Sequence, residues 1–216
     1  MTLPAHIQTQ DLPRYIVIEG PIGVGKTTLV KRLGAMLDAR TVLEVFEENP
    51  FLADFYKDNA RFAFQTEMFF LLSRYQQQQQ FSQEDLFSRF SISDYLFRKC
   101  RIFASMTLSE DEFRLFDRVY EILDDSLPRP DLVIYLHAPV DVLMERIQRR
   151  GRPYERDIDR AYLSDLQARY TDLFSGYRET PLLMIDTSEL DFAHDDAAVL
   201  RLLQEMTRPN PGRREL

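Results

Sequence analysis

Gly20, Gly25, Lys26 and Thr27 stand in the order G-x-x-x-x-G-K-T within GPIGVGKTT, residues 20–28, and such a set can grip an anion. The glycines let backbone N–H groups curl around phosphate oxygens at a helix N-terminus whose dipole already favours negative charge. Gly23 and Thr28 complete the loop. Lys26 would then reach the outer phosphates of a nucleotide such as ATP, and the Thr27 hydroxyl would ligate Mg²⁺. A second set, Arg146, Arg149, Arg150 and Arg152 around Gly151, suits a lid that closes over a triphosphate and excludes water. At least one of these arginines also fits a solvated helix end. The third ingredient is a carboxylate. In VFEENPFLADFYKD, Glu47 follows a strand beside the loop, where it could orient and deprotonate a hydroxyl. A solvated loop acid is the natural reading of Glu44 and stays open for Glu48.

These groups need a frame. YIVIE, residues 15–19, is a short apolar run that meets a glycine and then a helical pattern over Lys26–Leu37, the strand, loop and helix a phosphate loop requires. TVLEVF (41–46) and DLVIYL (131–136) read as further strands, with SRFSISDY (88–95) and PLLMID (181–186) as weaker ones. Helical stretches cover Arg61–Gln80, Glu110–Asp125, Val140–Arg150 and Asp159–Tyr177, with Ser109 and Glu112 forming a capping box. The alternation implies an α/β fold, a parallel five-stranded sheet flanked by helices. The expected organisation is one domain over 14–206 with its lid at about 146–158, a flexible stretch at 1–13 and a mobile tail at 207–216. QQQQQ, residues 76–80, is read as a solvated helix end.

Composition narrows the partners. A net charge of −8 disfavours nonspecific nucleic acid and anionic membranes, and no run is apolar enough to span a bilayer. A single cysteine, Cys100, forms no disulfide within the chain, so the expected location is cytoplasmic. No N-K-x-D element is present, against a GTPase, and DLVIYLHAP ends in His137 and Ala138 rather than an acid, against a hydrolytic ATPase. His6, His137 and His194 show no metal-ligand spacing, Cys100 reads as packing, and Glu19 at the end of the first strand has no role legible in the sequence.

IEGPIGVGKTTL, EENPFLADFYKD, FAFQTEMFFLLSRY, SDYLFRKCRIFA, RIQRRGRPYE and LLMID, in that order over nearly the whole chain, resemble the deoxynucleoside kinase family, in particular its bacterial deoxyguanosine and deoxyadenosine kinase branch. The resemblance implies a P-loop kinase fold with an arginine-rich lid. It also implies ATP and Mg²⁺, transfer to the 5′-hydroxyl of a 2′-deoxynucleoside with purines favoured, and a homodimer. It makes Glu47 the general base, Gln65 the base-reading amide, Tyr56 a 3′-hydroxyl contact, Arg74 an arginine near the base, and Asp94 a metal-side acid. Arg150 and Arg152, then Arg146, would meet phosphates, and Glu155 the 3′-hydroxyl. Many members carry Glu-Arg-Ser where this chain has Asp94, Tyr95 and Leu96, and Tyr95 supplies no guanidinium. A pyrimidine or broad-specificity nucleoside kinase, a monophosphate kinase and a non-catalytic nucleotide-binding subunit are the competing readings.

Overall fold

A computed structural model describes residues 7–45, 48–55, 57–84, 88–152, 155, 158–208 and 213–216. The regular elements run β1 (Tyr15–Glu19), α1 (Lys26–Leu37), β2 (Arg40–Val42), α2 (Leu52–Phe55), α3 (Asn59–Glu84), β3 (Ser91–Ser93), α4 (Lys99–Thr107) and α5 (Glu110–Asp124). After these come β4 (Leu132–His137), α6 (Val140–Arg150), α7 (Arg160–Ser175), β5 (Leu182–Asp186), α8 (Asp196–Met206) and β6 (Arg213–Glu215). A short 3₁₀ turn, Thr9–Asp11, precedes β1. The strands form one sheet in the order β2-β3-β1-β4-β5-β6, with β1–β3, β1–β4, β4–β5 and β5–β6 all parallel. Every residue of β1 is buried, as a central parallel strand covered on both faces requires. From β1 the chain first builds toward β3 and later toward β4, so the C-terminal end of β1 is the switch point of the sheet, where ligands of open α/β sheets bind. GPIGVGKTT leaves β1 at that end.

Two differences from the sequence expectation stand out. The sheet has six strands rather than five, because Arg213–Glu215 of the expected tail pairs with β5 and Leu216 N–H donates to Met184 O at 2.9 Å. The Arg214 guanidinium also donates to Glu205 O at 2.8 Å, fastening the segment to α8. The glutamine run is not wholly solvated either: Gln78 is buried, and Gln77 Oε1 accepts the Tyr95 hydroxyl at 2.9 Å.

The chain divides into two compact units. One comprises Met1–Thr41, Ser88–Asp94 and Arg129–Leu216, the other Val42–Phe87 and Tyr95–Pro128. The first holds most of the sheet, α1 and α6–α8. The second is helical and packs α3, α4 and α5 around Leu71, Phe97, Cys100, Ala104, Phe116, Tyr120 and Leu127, with Phe97 stacked on Tyr120 at 5.1 Å. At the start of α5 the expected capping box is formed, with Glu112 Oε2 accepting from Ser109 N–H at 2.9 Å and from its hydroxyl at 2.6 Å.

Candidate active site

In the sheet unit, the loop after β1 has no room for side chains where it is most bent. A Cβ on Gly20 would lie 2.2 Å from the Leu136 carbonyl oxygen, and one on Gly23, at φ +87°, would lie 2.9 Å from both Leu143 O and Ile147 Cγ1. The loop is therefore pressed against β4 and α6, and only glycine allows it. Gly25 then caps α1, placing Lys26, Thr27 and the exposed Thr28 on its first turn. Lys26 Nζ donates to Gly20 O at 2.7 Å and Pro21 O at 3.1 Å, folding the ammonium back over the loop. Thr27 Oγ1 donates to Asp94 Oδ2 at 2.8 Å, so the two residues expected to share a metal lie together. Hydroxyl and carboxylate oxygens are the donors a hard cation takes. Among the described residues no group of three or more His, Cys, Asp or Glu forms a denser cation site.

The arginines expected in the lid divide by partner. Gly151, at φ +66°, ends α6 by donating its N–H to Ile147 O at 3.1 Å. Arg150 makes a fork onto Glu155, Nε to Oε2 at 3.0 Å and Nη2 to Oε1 at 2.6 Å, and Arg152 Nη1 lies 3.6 Å from Glu155 Oε1. Three of the expected site residues thus form one cluster, with Glu155 buried under the two guanidinium groups. Arg146 turns elsewhere, donating to Thr187 Oγ1 at 3.0 Å, Thr187 O at 2.6 Å and Leu190 O at 3.3 Å. Burial lowers its pKa, and the neighbouring Arg149 adds to that. Arg149 itself is exposed, as a basic residue favoured by the helix C-terminus should be.

In the helical unit, Glu44 departs from its reading as a solvated acid. Its carboxylate receives Arg74 through Nε at 2.9 Å and through Nη2, and Lys99 Nζ at 2.6 Å. Burial would raise its pKa, but Arg74 and then Lys99 outweigh that and hold the carboxyl well below the usual range. Arg74 uses Nη1 on Cys100 Sγ at 3.2 Å. Burial pushes the Cys100 thiol up, with Arg74 opposing. Further along α3, Glu67 accepts from Thr107 Oγ1 at 3.1 Å, while its Oε2 is buried without a partner. Burial pushes Glu67 up to about 7, and the positive charge of Arg74 only partly offsets it.

Of the residues expected to hold an acceptor, Gln65 is exposed on α3 and Arg74 is buried in this network. Glu47 and Tyr56 lie outside the described residues. Tyr95 is fully buried and gives its hydroxyl to Gln77. A buried cation in this segment is Lys99, four residues further on; the sequence reading gave no role to Lys99 or Glu67 and took Glu44 for a solvated acid. The available signal was charge within otherwise apolar helix faces, which rarely stays buried unpaired.

A sequence model of the family described as deoxynucleoside kinase matches residues 16–208. Among curated proteins, the deoxyguanosine kinase of Bacillus subtilis (strain 168) is 38% identical over 183 residues, covering 82% of this chain and 88% of that protein. The deoxyadenosine kinase of Dictyostelium discoideum is 33% identical over 195 residues, covering 87% and 78%. A solved structure of deoxyadenosine kinase from M. mycoides with dCMP and a flexible dCDP bound superposes with a TM-score of 0.74 at 24% identity, covering 88% of this chain and 96% of that one.

Proposed function

Because this chain belongs to the deoxynucleoside kinase family, we propose that it transfers the γ-phosphoryl group of ATP to the 5′-hydroxyl of a 2′-deoxynucleoside, favouring purines. The names of the two relatives above, one acting on deoxyguanosine and one on deoxyadenosine, support the purine preference. The observation that carries the reading is the Lys26 ammonium seated on the carbonyls of a glycine-shaped loop, with Thr27 tied to Asp94 on the next residue.

The sheet unit supplies the donor side. Loop N–H groups and Lys26 take the β- and γ-phosphates, and Arg150, Arg152 and Arg146 are the arginines available to charge that develops in transfer. Thr27 and Asp94 would hold Mg²⁺, which supplies neutralisation of the phosphate oxygens when bound. Glu155 would leave its arginines for the sugar 3′-hydroxyl. For the acceptor, Gln65 and Arg74 would serve the base and Tyr56 the sugar. Positioning of this kind carries most of the catalysis in phosphoryl transfer.

Two carboxylates compete to orient the 5′-hydroxyl. Glu47 follows from the sequence. A specific observation favours Glu44: it lies just past β2 and is kept ionised at neutral pH by Arg74 and Lys99, so it can accept a hydrogen bond from the hydroxyl at every working pH. In this reading Lys99 provides beside the carboxylate the charge that Tyr95 lacks. The protein is also read as a cytoplasmic homodimer. No described helix is long and apolar enough to cross a membrane, and the helical unit exposes Leu115 and Ile122, seven residues apart on α5, together with Leu72 on α3.

The test is ADP release from Mg-ATP with no acceptor, with each of the four deoxynucleosides and with each deoxynucleoside monophosphate. Stimulation by deoxyguanosine or deoxyadenosine is expected. Equal turnover without acceptor would indicate an ATPase, stimulation only by a nucleoside monophosphate would indicate a monophosphate kinase, and no turnover would leave a nucleotide-binding subunit. Glu44→Gln and Glu47→Gln separate the two carboxylates: the orienting residue loses about 10²–10⁴ in kcat while nucleotide binding persists.

A further inference from the structure

We propose that Glu19 and Tyr170 are positioning residues for phosphoryl transfer, acting through the two peptide groups that meet at Gly20 to seat the Lys26 ammonium. The inference rests on the reading of the loop as the ATP site and adds two residues that touch neither substrate.

Glu19 ends β1 with its side chain fully buried. A carboxylate in that place is expensive unless its oxygens are satisfied. Its Oε1 accepts from Gly20 N–H at 2.8 Å and from the Tyr170 hydroxyl at 3.0 Å. Gly20 then uses its other end, the carbonyl, to accept from Lys26 Nζ at 2.7 Å. One residue therefore carries both bonds, so the orientation of its peptide planes is coupled to the place where the catalytic ammonium rests. The peptide has little room to adjust, because Leu136 O occupies the space where a Gly20 side chain would be.

The far end of the relay is equally fixed. Tyr170 is buried on α7 and its ring stacks with Tyr135 at 6.2 Å and Phe174 at 6.3 Å, while Tyr135 and Phe174 stack at 4.3 Å. Tyr135 lies opposite Glu19 in the β1–β4 register. Packing therefore holds the ring without help from its hydroxyl, and the hydroxyl fixes the carboxylate. The segment that carries Glu155 leads directly into α7, whose first turn is capped by Asp159 Oδ1 accepting Tyr162 N–H at 2.7 Å. One hydrogen bond thus ties the start of the phosphate loop to the helix that follows the lid.

Tyr170→Phe keeps the ring stack and removes the hydroxyl's bond to Glu19 Oε1. Loss of a hydrogen bond to a charged acceptor is expected to raise KM for ATP about tenfold while KM for the deoxynucleoside stays unchanged. Glu19→Gln retains an acceptor oxygen and is expected to lie much closer to wild type than Glu19→Ala. The two effects should be less than additive in Glu19→Ala/Tyr170→Phe, since each breaks the same relay. A purely structural role would lower the melting temperature and the active fraction and leave KM for ATP alone. A KM for ATP within about twofold of wild type in folded Tyr170→Phe, or an equal rise in both KM values, overturns the proposal. Calorimetric titration of wild-type protein with Mg-ATP separates the two levels: no binding overturns the loop's reading and this inference with it, whereas normal binding with an unaffected Tyr170→Phe overturns the inference alone.

Discussion

Glu67 is the residue whose chemistry is most at odds with its surroundings. It carries an ionisable group between α3 and α4 with one oxygen bonded to Thr107 and the other to nothing described. With its pKa pushed to about 7 from an ordinary value near 4.5, the folded state keeps a proton that the unfolded chain releases between those two values. Stability therefore falls as pH rises through that window, since the folded state binds more protons there than the unfolded one. Glu67→Gln removes the titration, so the variant should melt above wild type at pH 8, with the gap closing toward pH 5. A gap independent of pH would show that the carboxyl titrates normally. Glu44 carries the opposite sign, because its lowered pKa contributes stability that is full above the ordinary value near 4.5 and is lost progressively as the pH falls below it. Asp94 entered through the family resemblance, whereas the places of Lys26 and Thr27 were legible in the sequence because covalent spacing alone puts a lysine and a hydroxyl on the first turn after a glycine loop. Glu44, Lys99 and Glu67 were not, because a charge reads as solvated until the partner that buries it is known.

At the scale of elements, the ends of α1 and α6 fall where the sequence put them: Gly25 opens α1 and Asp38 closes it, Pro139 opens α6 and Gly151 closes it, and a periodic apolar face runs between. β2 is shorter than expected because the residues after Val42 leave the ladder, and Glu44 is drawn to Arg74 and Lys99 instead. β6 was hidden because its residues, Arg213 to Glu215, carry no apolar signal; the pairing comes from the open edge of β5. The contact between the phosphate loop and α6 is the element-level feature most exposed to mutation. Gly23→Ala would place a methyl against Leu143 O, a backbone atom that cannot swing aside, as well as against Ile147. The strained, crowded residue should cost on the order of 2–3 kcal/mol of stability and weaken nucleotide binding together, measured by thermal melts with and without Mg-ATP. A variant that melts and binds like wild type would mean that the loop does not rest on α6 in solution.

For the molecule as a whole, the exposed apolar residues of α5 give the assembly a direct test. Ile122 is 75% exposed and Leu115 53%, more apolar surface than one isolated side chain would leave open. In the proposed homodimer packed through α5, Ile122→Asp, which no described core contact opposes, should give monomer in sedimentation velocity while leaving the melting curve cooperative. A wild-type protein that is already monomeric would overturn the proposed dimer, and a mutant that remains dimeric would move the interface elsewhere. The two compact units are woven from five stretches of chain, and β1 takes its sheet neighbours from β3 and β4, which begin at Ser91 and Leu132. That weaving has a consequence for biosynthesis. A ribosome that has extruded only β1 to α4 has released every loop glycine and Lys26, yet neither the Leu136 carbonyl nor Ile147 against which the loop is shaped. On the proposed reading, a bound nucleotide would therefore stabilise the nascent chain only after α6 has emerged, as a late brace for a nearly finished fold, while the apolar strand β1 waits for its partners without it.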